Sequence, residues 1–259
     1  MRLSKPQGDL ASWTWKARTK AARRLVSGSP SEFEGDDFDW RRYHLEYAAQ
    51  LEEIEATNTL RLADGQWEVR DGSIVLTRGL PLHANHKVLY ETILALQPQS
   101  ILEAGCGGGD HLHNLSLLMP SASIRGIDRS EGQLQVLRRR NPGFADLSSV
   151  VDLTLPHPTD IASADLVFAQ AVLMHIQTGN GHRVALWNVF DLASKQVVLM
   201  ENLQRHDLLT DIRDLWAKRI LPWESLHLYQ APPAEGPPVI VVSREPISIG
   251  MRELPVSSR

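Results

Sequence analysis

Residues 101–115, ILEAGCGGGDHLHNL, combine an acidic side chain with a concentration of glycines. Four of the five residues from Gly105 to Gly109 are glycine, and Glu103 stands two positions before the first of them. Glycine is costly inside a strand or helix, so this run predicts a loop whose backbone must come close to a ligand. The acid before the loop suits a ligand that carries an ammonium group.

The spacing of the glycines narrows the class of ligand. A dinucleotide-binding loop has the pattern Gly-x-Gly-x-x-Gly or Ala, but counting from Gly105 the third required position is Asp110. The pattern present instead is an acid at position 103 and glycines at alternate positions 105, 107 and 109. The loop therefore predicts a nucleotide-like ligand other than a dinucleotide.

Two further acids end apolar segments downstream. Asp128 closes the segment IRGID, where a carboxylate can accept hydrogen bonds from both hydroxyls of a ribose. Asp152 closes the segment VVD, which we predict as the end of the third sheet strand, near the place of an adenine amino group. Each acid also has a structural interpretation: Asp128 as an N-terminal acid for a helix beginning near Ser130, and Asp152 as the first residue of a turn.

The elements that must position these side chains alternate between strands and helices. This alternation predicts an α/β fold, a doubly wound, mostly parallel seven-stranded sheet with helices on both faces. No helix separates the last two strands, so we expect them to pair antiparallel. The predicted strands are 100–104, 123–128, 150–153, 164–169, 196–200, 225–229 and 239–243, and the predicted helices are 86–96, 110–119, 130–140, 183–193 and 207–220.

Residues 1–81 precede this pattern and are predicted to form an N-terminal extension, a possible lid or substrate cap, before a domain over 82–259. The extension contains a helix over 10–27, a second helix from Trp40 to about Ala56, and a β-hairpin over 66–76 with Asp71-Gly72 at its turn. The first helix is basic and amphipathic. It could pack on the acidic segment 31–55 or make weak contact with a membrane surface.

Charge and cysteine content limit the classes of function and partner that we expect for this chain. Residues 1–28 hold seven basic side chains and one acidic, a net charge of +6, so the total of −4 leaves −10 for the remainder. An acidic body argues against nucleic acid as a partner. The single cysteine excludes an internal disulfide, and the sequence contains neither an apolar run of membrane-spanning length nor a secretory segment after Met1. A cytoplasmic protein is the expectation.

The motifs ILEAGCGGG, IRGIDRS, VVDLT and ADLVFAQAVLMHI together resemble the class I (Rossmann-like) S-adenosylmethionine-dependent methyltransferases over residues 83–243. The resemblance implies S-adenosyl-L-methionine as the cofactor and an antiparallel last strand. It places Glu103 at the methionine amino group, Asp128 at the ribose and Asp152 at the adenine. The remaining implied cofactor contacts are Gly105, Cys106, Gly107 and Gly109 in the loop and Gln170 beside the sulfonium.

Cys106 is interpreted as a small packed residue of the loop and not as a nucleophile, because no base is identifiable beside it. Seven histidines surround the expected cleft: His83, His86, His111, His113, His175, His182 and His206. Their spacing is loose for metal ligands, and we predict no metal site.

His175 is the predicted general base, since it follows Gln170 closely enough to reach an acceptor hydroxyl. A structural role for His175, tying its loop to backbone, is the alternative. His111 and Glu201 are the second candidates for the base, although Glu201 is better explained as a strand-end carboxylate bound to local backbone donors.

Three classes of function remain open from the sequence. The first is O-methylation of a polar small molecule or glycan, favoured by a resemblance of LHANHKVLYETI and GGGDHLHNL to methyltransferases of sugar and glycan biosynthesis. The second is methylation of a protein or RNA, although FAQAVLMHI stands where an Asn-Pro-Pro-Tyr motif would indicate amino methylation. The third is a non-catalytic S-adenosylmethionine-binding regulator.

Overall fold

A computed structural model of the chain describes residues 43, 45–46, 48–51, 60–63, 65–79, 81–157, 161–177, 179–231 and 237–256. The predicted basic helix over 10–27, and with it the membrane-surface contact, lies outside the described residues. The described residues between Tyr43 and Leu51 are helical, in agreement with the second predicted helix.

The predicted hairpin is present. Strands β1 (Trp67–Arg70) and β2 (Ser73–Leu76) pair antiparallel, with Arg70 opposite Ser73. Asp71 and Gly72 have φ angles of 50° and 78°, as a two-residue turn with a left-handed backbone at both positions requires. The hairpin is joined to the domain by a hydrogen bond from the Ile74 amide to the Glu91 carboxylate.

The main sheet has eight strands in the order β10-β8-β9-β7-β6-β3-β4-β5. Strands β3 to β7 run parallel, and β9 pairs antiparallel with both β7 and β8. The strand bounds are β3 (Ser100–Ala104), β4 (Ser123–Asp128), β5 (Ser148–Val150), β6 (Ala164–Gln170), β7 (Ala193–Met200), β8 (His227–Gln230), β9 (Val239–Ser243) and β10 (Arg252–Leu254). The predicted doubly wound α/β fold with an antiparallel last core strand is confirmed.

Helices cover both faces of this sheet. They are α1 (Ala84–Leu96), α2 (Asp110–Leu118), α3 (Glu131–Arg140), α4 (Gly181–Leu192) and α5 (Leu208–Ala217), with 3-10 turns at Pro142–Leu147 and Leu173–His175. Alternate residues of the central strands enter two separate cores. Val167 and Val197 pack with α4 and α5, whereas Ile101 and Phe168 pack with α1, α2 and α3. Burial on both faces explains why these strands are almost uninterrupted apolar runs.

Several predicted boundaries differ from the structure by a few residues, one of them at the candidate site, and one strand was not predicted. The third parallel strand ends at Val150, so Asp152 lies two residues beyond it, in a turn, and does not end the strand as expected. The apolar run VVDL continues past the strand because Val151 and Leu153 are buried under the turn, which hides the strand end in the sequence pattern. The eighth strand, β10, was not predicted: it is three residues long at the sheet edge, too short for an alternating pattern.

Candidate functional site

A cleft of about 380 Å³ opens at the carboxyl ends of β3, β4 and β6. This is where an open, doubly wound sheet places ligands, because the strand order reverses between β3 and β6 and the connecting helices diverge. All nine predicted site residues line it: Glu103, Gly105, Cys106, Gly107, Gly109, Asp128, Asp152, Gln170 and His175. The topology therefore brings together side chains that span more than seventy positions in the sequence.

Glu103 is the most deeply buried acid of the cleft. Its side chain is 1% exposed, and its Oε2 has no hydrogen-bond partner within the part of the chain that the structure describes. Burial, and then the nearby charges of Asp128 and Asp110, raise the pKa of its carboxyl well above the usual value. A buried carboxylate oxygen without a partner is costly, and a cationic ligand would remove that cost. Glu103 is thus fitted to receive an ammonium group.

The glycine loop is held by the acid that ends the next strand. Asp128 accepts a hydrogen bond from the Gly107 amide at 2.9 Å on Oδ2, and from the Ser130 amide at 2.7 Å on Oδ1. Burial raises the pKa of Asp128, and these two hydrogen bonds oppose the rise. Each carboxylate oxygen has a second lone pair, so the side chain can still accept from vicinal hydroxyls. The structural interpretation of Asp128 and its predicted ribose role are therefore compatible.

Two glycines of the loop are required for packing as well as for conformation. Gly105 has φ +88°, and a Cβ there would overlap Val172 Cγ2. Gly109 has φ +83°, and a Cβ would lie 2.9 Å from Leu137 Cγ of α3. The glycine loop therefore packs closely against the loop after β6 and against α3. A larger residue at position 105 or 109 would force these neighbours to move.

Asp152 organises the turn that closes the cleft. Its Oδ1 accepts from the Thr154 amide at 2.9 Å and from Thr154 Oγ1 at 2.6 Å, and its Oδ2 lies 3.6 Å from Arg129 Nε. Asp152 therefore begins a turn, as its structural interpretation predicted. It also lines the cleft, and its contact with adenine stays a prediction.

Cys106 packs in the loop, as expected. It is 4% exposed, and a Cβ added at Gly126 of β4 would lie 2.7 Å from its Sγ. Burial, followed by the charges of Asp128 and Glu103, raises the pKa of the thiol well above its usual value. A thiol kept protonated in this way is a poor nucleophile.

Glu201, at the end of β7, fixes the loop that carries His175. Its carboxylate accepts hydrogen bonds from the amides of Val172 (3.0 Å), Leu173 (3.0 Å) and Met174 (3.1 Å). The interpretation of Glu201 as a strand-end carboxylate bound to backbone donors is confirmed. Three amides aimed at one side chain hold Leu173–His175 as a short 3-10 turn, with His175 on the cleft wall.

His175 itself is half-buried, and its pKa lies below the usual value because of burial and then the positive charge of Arg205. A neutral imidazole at neutral pH is the state that a general base needs. The base role of His175 stays a prediction.

His111 and Gln170 meet across the cleft. His111 Nε2 is hydrogen-bonded to Gln170 Oε1, and His111 Nδ1 lies 2.6 Å from the Tyr90 hydroxyl. Asn114 Nδ2 donates to the same hydroxyl at 2.8 Å. Sequence reasoning missed Tyr90 and Asn114. The available signal was helical spacing: His86 and Tyr90 lie four residues apart on α1, and His111 and Asn114 three apart on α2.

The other histidines have separate partners. His83 caps α1, His113 Nε2 bonds to the Leu62 carbonyl, and His182 and His206 stack at 4.0 Å beside Asp211. Within the described ranges, no three His, Cys, Asp or Glu side chains are arranged to hold a metal ion. In the same residues, no helix is long and apolar enough to cross a membrane.

The residues present fit an adenosyl cofactor with an amino-acid tail. The buried Oε2 of Glu103, which has no partner among the described residues, would match the ammonium. The Asp128 carboxylate, held by the Gly107 amide, would match the ribose, and Asp152 lines the same cleft. Residues from the extension reach the cleft as well, since Tyr43 and Leu60 line it. The division into an extension and a domain, and the role of the extension as a cap, stay predictions.

Comparison with known proteins agrees with this geometry. Residues 101–194 match a family model described as a methyltransferase domain. A 76-residue segment is 40% identical to the trans-aconitate 2-methyltransferase of Methylobacterium nodulans, covering 29% of this chain and 28% of that protein. A 90-residue segment is 29% identical to the enzyme of the same name from Paracidovorax citrulli, covering 35% and 33%. The chain thus matches about a third of the length of these relatives.

Among solved structures, the fold is similar to that of a TehB-like SAM-dependent methyltransferase from Corynebacterium glutamicum. The TM-score is 0.52 at 18% identity, over 79% of this chain and all of that one. At this identity the likeness concerns the fold alone.

Proposed function

We propose, from the premise that this chain carries a class I S-adenosylmethionine-dependent methyltransferase domain, that it transfers a methyl group to an oxygen of a small polar acceptor. The family model matched over residues 101–194 supports the family predicted from the glycine loop and its neighbouring motifs, and the cofactor that this family uses. The observation that carries the proposal is the buried Glu103 Oε2, which has no hydrogen-bond partner among the described residues and would match the ammonium of the cofactor's methionine.

Methyl transfer from this cofactor does not require a covalent intermediate with the protein. The cofactor supplies a methyl group on a positively charged sulfur, which becomes a neutral thioether when the methyl group leaves. The residues of the cleft must orient the acceptor oxygen and exclude water. Glu103 would hold the methionine ammonium of the cofactor and Asp128 its ribose, and Gly105 and Gly107 would let the backbone come close to it. His175 would take the proton of a hydroxyl acceptor, whereas a carboxylate oxygen needs no base.

The relatives support a small acceptor. Both are named for trans-aconitate, which is a small carboxylic acid. We therefore propose a small polar acid as the acceptor class and trans-aconitate as the first compound to test.

Transfer of a radiolabelled methyl group from S-adenosylmethionine tests the proposal. The protein is incubated with trans-aconitate, other small acids and sugars, and with cell-extract fractions sorted by size, and Asp128→Ala serves as the control. We expect label in a small molecule, and hydrolysis in alkali then separates an ester from an ether. Label confined to protein or RNA, or cofactor binding without any transfer, would contradict the proposal.

A further inference from the structure

A chain of hydrogen bonds runs from the backbone before the hairpin to the centre of the cleft. It passes from Leu62 through Asn114, Tyr90 and His111 to Gln170. The first hydrogen bond of this chain determines which atom donates and which accepts in each of the following ones. The Leu62 amide donates to Asn114 Oδ1 at 2.8 Å, which fixes the orientation of the Asn114 amide group.

With its oxygen bound to the Leu62 amide, the Asn114 side chain directs the two hydrogens of Nδ2 towards its other neighbours. Its Nδ2 donates one hydrogen to the Leu60 carbonyl at 2.8 Å and the other to the Tyr90 oxygen at 2.8 Å. Tyr90 is 0% exposed, and burial holds its hydroxyl protonated by raising its pKa well above the usual value. A buried hydroxyl must donate its hydrogen, and the acceptor that the described residues provide is His111 Nδ1, 2.6 Å away.

The tautomer of His111 follows from this. Because Nδ1 accepts from Tyr90, neutral His111 carries its hydrogen on Nε2 and donates it to Gln170 Oε1. Burial lowers the pKa of His111 to about 4, so the ring is neutral in the physiological range. The Gln170 oxygen accepts this hydrogen, and its Nε2 has no acceptor among the described residues. The two Nε2 hydrogens are therefore available to a group bound in the cleft, which the Gln170 side chain lines.

Acidic side chains dominate the charge of the cleft lining. The lining includes the acids Glu103, Asp110, Asp128 and Asp152 and the cation Arg129, which lies 3.6 Å from Asp152. It also includes Gln170 and three histidines. The acids would repel a carboxylate of the acceptor, so a carboxylate needs hydrogen-bond donors in the cleft, and the amide hydrogens of Gln170 are such donors.

We propose that Gln170 determines acceptor specificity by donating hydrogen bonds from Nε2 to a carboxylate oxygen of the acceptor. Asn114, Tyr90 and His111 are positioning residues that hold the Gln170 amide in this orientation. This inference deepens the proposed function and rests on it. It assigns His111 as a hydrogen-bond donor and removes it from the candidates for the general base.

The tautomer can be measured without any acceptor. Long-range proton–nitrogen NMR correlations of protein labelled with ¹⁵N-histidine, bound to S-adenosylhomocysteine, should show His111 protonated on Nε2 and bare on Nδ1 from pH 6 to 8. Assignment uses the His111→Gln variant. We expect Tyr90→Phe, which removes only the hydroxyl, to abolish this single-tautomer pattern. A wild-type His111 protonated on Nδ1, or charged in this range, would overturn the proposal.

Calorimetry tests the acceptor contact. Citrate, tricarballylate and succinate are titrated into the S-adenosylhomocysteine complex, where no transfer can occur. We expect at least one acid to bind and Gln170→Glu to weaken its binding at least tenfold. The control variant Gln135→Glu makes the same charge change at an exposed position of α3 and should bind as wild type does.

Each other outcome of the titration is decisive. Failure of all three acids to bind wild-type protein, or equal binding by Gln170→Glu, would overturn the carboxylate contact. Loss of S-adenosylhomocysteine affinity in Gln170→Glu would show that the amide serves the cofactor and not the acceptor. Failure of the proposed function is separate from these results, because it appears as absent methyl transfer with the His111 tautomer and acid binding intact.

Discussion

Asp128 Oδ2 and the Gly107 amide are joined by a 2.9 Å hydrogen bond that links the end of β4 to the loop after β3. The acid that is predicted to bind the ribose therefore also shapes the loop beside it. Two segments that are predicted to contact the ligand, 21 residues apart in sequence, are held together by one carboxylate.

Replacing Asp128 should weaken cofactor binding and leave the fold intact. We expect Asp128→Ala to weaken S-adenosylmethionine and S-adenosylhomocysteine about ten- to hundredfold, because a charge-assisted hydrogen bond contributes roughly 1.5–3 kcal/mol. Calorimetry measures the affinity and circular dichroism the retained fold. Wild-type affinity in the variant, or binding of NAD in place of S-adenosylmethionine, would refute the assignment.

Glu103 should make cofactor binding depend on pH. Its pKa is raised by burial in the free protein, and a bound ammonium favours the charged carboxylate, so binding should release a proton. Affinity should then rise with pH until the pH exceeds the raised pKa of the free protein. Calorimetry in two buffers of different ionisation enthalpy counts the proton.

The control for this effect is Glu103→Gln, which keeps the shape and removes the charge. We expect it to bind the cofactor at least tenfold more weakly and to release no proton, since a neutral amide has none to lose. Proton release that persists in the variant would assign the effect to another group.

Glu201→Gln should destabilise the β6 loop. The new amide nitrogen cannot accept hydrogen bonds, so at least one of the Val172, Leu173 and Met174 amides loses its partner. A buried unsatisfied donor costs about 1–3 kcal/mol of the free energy of unfolding. Urea unfolding measures the loss, and Glu224→Gln, at an exposed position, is the matched control.

The same residue should shape the pH dependence of stability. Burial raises the Glu201 pKa from 4.5 to about 7, so the folded state binds this proton more tightly than the unfolded state. Its contribution is fully present below pH 4.5 and declines as the pH rises through about 7. The wild-type free energy of unfolding should show this decline, and Glu201→Gln should not. An identical pH profile in the variant would assign the decline elsewhere.

His175→Ala tests the general base. If His175 deprotonates the acceptor, turnover should fall by about two to four powers of ten while cofactor affinity stays unchanged. Because the His175 pKa is lowered, the wild-type rate should fall only as the pH drops below 6.5, and the variant should lack this limb. Turnover within a few-fold of wild type would exclude the base role and indicate an oxygen that is already deprotonated.

The local sequence pattern was sufficient to predict which residues around the glycine loop line the cleft. Glu103 lies near the end of β3, the alternate glycines follow that strand, and Asp128 ends β4. The carboxyl ends of parallel strands converge wherever such a sheet forms. Asp71-Gly72 likewise specified its turn, because two successive left-handed residues are a local requirement. Asp152 was misplaced at a strand end because buried residues on both sides of the turn continue the apolar pattern.

The acceptor end depended on tertiary structure. His111 follows the glycine loop, Tyr90 lies on the helix before β3, and Gln170 ends β6, so no spacing in the sequence links them. Only the packing of α1 against α2 brings the Tyr90 hydroxyl to His111 Nδ1, and only burial of that hydroxyl decides which way its hydrogen points. The sequence determined that a cofactor cleft exists, and long-range packing decided which atoms in it donate and which accept. Local pattern specifies backbone geometry, whereas the direction of a hydrogen bond depends on every partner in the chain.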